Sequence, residues 1–386
     1  MPATDRRKFL LKSGALLMSG VAGMGAGGMA RAAGWQAVSP ADAGFKPDLE
    51  GRFNALQANG KLAGLHGVVA LRHGRIVFEK YMAGPDARWG EPLGKVSFGP
   101  DTLHDMRSVT KSVVGLLYGI ALASQKVPAP DQPLLARFPE YPDLAANPKL
   151  APLTVAHALT MTLGTEWNEN VPYTDPANSE IAMEMAPDRY RFILDRPVVA
   201  TPGRGWIYNG GAPALLARLI EKGTGQSLPA FADTVLFAPL EIGKTEWVRG
   251  ADGVPSAASG LRLTPRDLAR IGQMVLAGGK WNGRQVVPKT WLDASLRPAA
   301  VVDDTRRYGY LWYVGDIPLN TKGGVIGQRW AGAFGNGGQR LFVFPDLDFV
   351  LAVTAGNYDT PDQWVAPVVA LRQVFLASLV ESMPAR

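Results

Sequence analysis

Cysteine is absent from the 386 residues. That excludes disulfide staples, a thiol nucleophile and thiolate metal ligands, while saying nothing about compartment. Histidine is nearly as scarce: His66, His73, His104 and His157 make up the whole supply, with no His-Glu-x-x-His and no pair at ligand spacing. Four residues before a serine, His104 reads as structural rather than as a triad base, so the sequence points to no bound metal. Gly-x-Ser-x-Gly is missing too, and with it the nucleophile elbow of α/β-hydrolases. Beyond the N-terminal region no segment reaches the roughly 18 uninterrupted apolar residues of a membrane span. No basic stripe with interleaved aromatics exists, which speaks against a nucleic-acid partner.

What is present suits a folded protein with a large core, either one big domain or two moderate ones, at 47% hydrophobic and 19% charged residues. The formal charge of +6 is uneven. Arg6, Arg7, Lys8, Lys12 and Arg31, against the single acid Asp5, fall within the first 32 positions, and the remainder carries 35 basic and 33 acidic residues. Asp5-Arg-Arg-Lys-Phe-Leu-Leu-Lys12 presents a twin arginine, a weakly apolar Gly/Ala/Met stretch follows, and Ala30-Arg31-Ala32 offers small residues for cleavage. This pattern predicts a twin-arginine export signal over residues 1–32, cut after about Ala32, and a periplasmic product with no stable membrane insertion.

Along the chain, Leu49, Phe53 and Leu56 stand at helical spacing. Leu65 to Tyr81 reads as a hairpin turning at His73-Gly74. A long apolar helix follows, residues 127–150 read as surface loop, and Leu153 to Met161 as a short helix with Thr154 as its cap. Gly164 to Pro202 looks irregular, with a short Met-rich segment, as functional or lid-like loops do. Further helices are expected over Ala214–Glu221, ended by Gly223 or Gly225, and from the cap Thr264. Strands over 340–344 and 349–354 flank Pro345–Asp348, and a last helix runs to about Ser382. Strands at both ends with helices between predict one sheet built from 33–105 and 256–386, with a helical subdomain, 106–255, inserted in the domain 33–386.

Three stretches can carry chemistry. In Met106-Arg-Ser-Val-Thr-Lys-Ser112, Ser108 and Lys111 share a helix face, so hydroxyl and amine can meet. Burial and the helix N-terminus are expected to favour a neutral, proton-accepting lysine. In Pro202-Gly-Arg-Gly-Trp-Ile-Tyr208-Asn-Gly-Gly211, a phenol precedes a close-approach turn and can shuttle a proton to a leaving group. In Gly335-Asn-Gly-Gly-Gln339, glycines enter a strand, where a backbone N–H can form half of an oxyanion hole with the Ser108 N–H as the other half.

In this order the three stretches resemble the serine β-lactamase/penicillin-binding superfamily, and within it the class C-like esterases and the 6-aminohexanoate-dimer hydrolase group. Leu153–Gly164, Trp167-Asn-Glu169, Ser259–Asp267 and Gly278–Pro288 extend the likeness over about residues 60–375. The resemblance implies an α/β (α+β) fold, an antiparallel sheet flanked by helices with an inserted helical subdomain. It implies Ser108 as nucleophile, Lys111 as base and Tyr208 as proton shuttle, without a cofactor. It also implies Gly338 or Gln339 at the oxyanion, Asn336 in place of the Lys of Lys-Thr-Gly, Asn209 within the Tyr-x-Asn stretch and Tyr173 as a substrate-contacting loop tyrosine. Gly210 stands where the family carries the Asn of Tyr-x-Asn. Losing that amide and the Lys-Thr-Gly cation points away from β-lactams and toward a small ester or amide substrate.

Overall fold

The computed structural model describes residues 35–321 and 324–380; the expected export signal lies outside them. The described chain opens with helix α1 (Leu49–Ala58), then strands β1 (Leu65–Arg72) and β2 (Arg75–Tyr81). A second hairpin, β3 (Ala83–Arg88) with β4 (Glu91–Ser97), precedes the two-residue strand β5 (His104–Asp105) and helix α2 (Val109–Ala123). The middle is helical: α3 (Pro142–Ala145), α4 (Val155–Leu159), α5 (Ser179–Met185), α6 (Arg189–Leu194), α7 (Gly211–Thr224) and α8 (Leu228–Ala232). Strands β6 (Glu246–Trp247) and β7 (Leu261–Leu263) lead to helix α9 (Pro265–Leu276), the small hairpin β8 (Lys280–Trp281) and β9 (Arg284–Gln285), and helix α10 (Lys289–Ser295). The chain closes with β10 (Ala300–Val301), β11 (Arg306–Tyr308), β12 (Tyr313–Thr321), β13 (Gly324–Gly335), β14 (Gln339–Phe344), β15 (Phe349–Ala355) and helix α11 (Val365–Val369).

One eight-stranded antiparallel sheet organises this series, in the order β10-β11-β12-β13-β14-β15-β1-β2. It joins the N-terminal hairpin to the C-terminal strands. The β1–β2 turn forms because His73 and Gly74 both take left-handed backbone angles, φ 51° and 71°, the geometry a two-residue hairpin loop requires. Every residue of β1 is buried, so both faces of the sheet are covered. Alternation sorts the strand between two cores. Val69 and Leu71 pack on the α2 and α9 side, while Val68 and Ala70 join Phe53, Phe349 and Phe375 on the other.

Helix α2 is apolar all round, which suits a helix enclosed on every side. Its glycines permit the enclosure. A Cβ on Gly119 would lie 2.1 Å from the Trp291 ring, and the Trp291 indole N–H donates to the Gly115 carbonyl at 2.9 Å. The approach to α2 is fixed by β5 pairing with β7 and by the Met106 N–H on the Leu261 carbonyl at 2.9 Å.

Residues 164–202 are less irregular than the sequence suggests, since α5 and α6 lie within them. Each is too short to show an apolar stripe, and local caps hold both. Asn178 Oδ1 accepts from the Glu180 N–H at 3.0 Å, and Asp188 Oδ1 accepts from the Arg191 N–H at 2.9 Å. The expected surface loop over 127–150 likewise contains α3. After α11 the C-terminal helix widens into a π turn over Ala370–Phe375, and the described helical stretch ends at Ser378.

Candidate active site

Ser108 stands at the head of α2, 7% exposed, after a residue in a costly conformation: Arg107 has φ +48°. Neighbours hold that backbone. The Arg107 guanidinium lies over the Tyr358 ring, 5.1 Å from its centroid, and 3.5 Å from the Asp105 carboxylate. The turn presents Ser108 to Lys111, whose Nζ donates to Ser108 Oγ at 2.9 Å. Tyr208 approaches from the loop before α7. Its ring centroid is 5.0 Å from Lys111 Nζ, and its hydroxyl lies beside that of Ser108. Burial first, then Tyr313 and Glu169, pushes the Tyr208 phenol well above its ordinary range. At rest Tyr208 is a proton donor. Tyr208, a hundred residues downstream, therefore meets the Ser108–Lys111 pair.

The surroundings of Lys111 differ from the sequence expectation. Its amine has three acceptors, Ser108 Oγ, Glu180 Oε2 at 3.2 Å and the Ala258 carbonyl at 2.9 Å, which matches the three N–H donors of an ammonium. Glu180, delivered by α5 and fully buried, is a partner that the sequence did not point to. Burial works against the Glu180 carboxylate, but Lys111 and the Ser259 hydroxyl, 2.6 Å from Oε1, hold it below the usual carboxylate range. Beside it sits Glu169. It accepts from the Trp167 indole at 2.6 Å, the Tyr173 hydroxyl at 2.8 Å and the Gly210 N–H at 2.6 Å. Burial and the neighbouring Glu180 push Glu169 up to about 7, so one proton rests on the pair near neutrality.

This pair explains Gly210. A Cβ there would stand 2.6 Å from Glu180 and 3.0 Å from Glu169, so an Asn side chain has no room. The sequence did contain a signal, the tripeptide Trp167-Asn-Glu169, but nothing in spacing alone brings Glu180 to Lys111.

The other residues the sequence singles out have different placements. Asn209 does not face substrate; its Oδ1 accepts from the Gly211 and Ala212 N–H groups at 2.7 and 3.1 Å and so caps α7. Tyr173 reaches the site through Glu169, with its ring half-buried. Gly338 is committed within its turn, its N–H donating to the Gly335 carbonyl at 3.3 Å. The Gln339 side chain is clasped to the Ala355 backbone through both amide atoms, at 2.6 and 3.0 Å. Asn336 bonds Asp359, donating to its carboxylate at 2.7 Å and accepting from its N–H at 2.9 Å. These residues knit the β13–β14 turn to the segment after β15. Gly335 at the end of β13 abuts the segment leading into α2 instead: its Cβ would lie 2.4 Å from the Met106 carbonyl oxygen. Histidine also departs from expectation. Among the described residues His66, Asp86 and His104, unrelated in sequence spacing, converge in one buried cluster.

Comparison with known proteins follows the same lines. The Beta-lactamase family pattern matches residues 49–370. The 6-aminohexanoate-dimer hydrolase of Paenarthrobacter ureafaciens is 27% identical over 342 residues, covering 82% of this chain and 76% of that protein. Esterase EstB of Burkholderia gladioli is 25% identical over 349 residues, covering 73% and 86%. Among solved structures, EstCE1, a hydrolase with promiscuous acyltransferase activity, superposes with TM-score 0.65 at 15% identity, covering 85% of this chain and 97% of that one. A penicillin-binding protein homologue from Caulobacter crescentus gives TM-score 0.61 at 18% identity, covering 85% and 95%. With the family pattern spanning residues 49–370, this chain belongs to the beta-lactamase family, alongside its esterase and aminohexanoate-dimer hydrolase members.

Proposed function

We propose that the protein is an exported serine hydrolase that cleaves an ester or short linear amide through an acyl-enzyme on Ser108. The observation that carries this reading is the convergence of Ser108 Oγ with Lys111 Nζ at 2.9 Å and with the Tyr208 hydroxyl. Lys111 passes a proton to Glu180 and takes the Ser108 proton in its place, leaving an alkoxide that attacks the substrate carbonyl. The N–H of Ser108 and a backbone N–H at the end of β13 hold the oxyanion. Tyr208 gives its phenolic proton to the leaving alcohol or amine and regains one from Lys111. Water then attacks the acyl-enzyme by the reverse relay, with the acid as product. The missing Tyr-x-Asn amide and the absent Lys-Thr-Gly cation favour this over β-lactam turnover.

The test is hydrolysis of a short-chain nitrophenyl ester by wild type and Ser108→Ala. Turnover should vanish in the variant, and wild-type rates in Ser108→Ala would sink the assignment. Nitrocefin should be a poor substrate. Turnover of aminohexanoate oligomers beside the ester separates an amidase from an esterase.

A further inference from the structure

The β3–β4 hairpin, β5 and the start of β1 meet in a buried polar cluster that the proposed hydrolysis does not use. His66 Nδ1 lies 3.0 Å from His104 Nε2, and Asp86 Oδ1 lies 3.5 Å from the same nitrogen. A tetrahedral centre with metal–ligand bonds of about 2.0–2.2 Å separates neighbouring ligand atoms by roughly 3.3 Å; these two spacings suit such a centre, and the three ligand atoms all lie within 4.8 Å of one another. All three residues are buried, with exposures of 1%, 6% and 0%.

The donor chemistry fits as well. His104 Nδ1 is directed at the Asp105 carbonyl at 3.1 Å, which leaves Nε2 as the lone-pair nitrogen facing the cluster. Both imidazoles are enclosed in the interior, where a neutral ring can offer a nitrogen lone pair to a metal. Asp86 Oδ1 accepts from the Tyr358 hydroxyl at 3.0 Å, whereas Asp86 Oδ2 and His66 Nε2 are enclosed with no hydrogen-bond partner. A buried carboxylate beside two neutral imidazoles lacks compensation, and a cation supplies it.

We propose that His66, Asp86 and His104 bind one divalent transition-metal ion, zinc by donor type, with water completing the tetrahedron. The ion staples β1, β3 and β5 together behind Arg107 and Ser108. Its role is structural, since the Ser108–Lys111–Tyr208 relay needs none.

The test uses the full chain, purified without a polyhistidine tag, stripped with a chelator and dialysed against zinc. Metal analysis should return about one zinc per chain, and the melting temperature should rise with zinc. Cobalt in its place should give the visible absorption of a tetrahedral site. Asp86→Asn and His66→Gln should lose the zinc and the thermal shift while keeping native circular dichroism. Zinc-free wild type with no thermal shift would overturn the proposal and leave a hydrogen-bonded histidine pair. Zinc retained equally by folded Asp86→Asn would also overturn it. Should both variants fail to fold, wild-type stoichiometry and the cobalt spectrum still decide. Neither readout depends on ester hydrolysis.

Discussion

At the scale of single residues, the lysine beside Ser108 is paired, and this determines how the site titrates. In the proposed relay Glu180 takes the Lys111 proton, and replacing it with Gln removes that carboxylate. Ester kcat should fall at least about 100-fold with little change in KM, as for loss of a proton-transfer group; unchanged kcat would show that Glu180 only packs. Gly210→Asn restores the family's amide but drives its Cβ against both carboxylates. It should cost about 1–3 kcal/mol by denaturant titration and lower activity. Stability should also depend on pH. Glu169 and Glu184 are pushed by burial from an ordinary 4.5 up to about 7. Between these values the folded protein holds protons that the unfolded chain has released. Their contribution is therefore full below about 4.5 and lost as pH rises through 7, while His66 and His104, lowered by burial from 6.5 to about 4, contribute in the opposite direction. Glu180, held low, titrates below this window. The melting temperature of wild type relative to Glu169→Gln should therefore be higher at pH 5 than at pH 7.5.

At the scale of elements, α5 delivers Glu180, the loop before it delivers Glu169, and α6 carries the anchor Arg189, so anchorage matters more here than helicity. Arg189, 1% exposed, bonds Asp252 through two nitrogens at 2.6 and 2.5 Å and meets Glu184 at 2.9 Å. Removing one partner of a buried charge network leaves uncompensated charge, so Arg189→Ala should cost about 3–5 kcal/mol in chemical denaturation. Much of the element pattern was legible in the sequence, for local reasons. The His73-Gly74 turn, the Thr264 cap, whose Oγ1 accepts from the Asp267 N–H at 3.1 Å, and the Gly225 stop of α7 at φ 71° are set by nearest neighbours. The short helices of 164–202 were not legible, because one or two turns bury too little to leave a periodic signature. Ser108, Lys111 and Tyr208 were readable from spacing and order. Glu180 and the His66–Asp86–His104 cluster were not, since tertiary folding alone brings them to their partners.

At the scale of the whole molecule, one sheet joins the chain's two ends and encloses the helix that carries the nucleophile. No helix among the described residues is long and apolar enough to cross a membrane. The proposed export would rest on Arg6 and Arg7, and replacing both with Lys should then retain the protein in the cytoplasm, as read by cell fractionation. The central claim is that this assembly forms a covalent acyl-enzyme on Ser108. Incubation with a fluorophosphonate probe, followed by peptide mass spectrometry, tests it most directly. The adduct should appear on the peptide containing Ser108 and be absent from Ser108→Ala. An unlabelled wild-type protein, or an adduct on another serine, would contradict it.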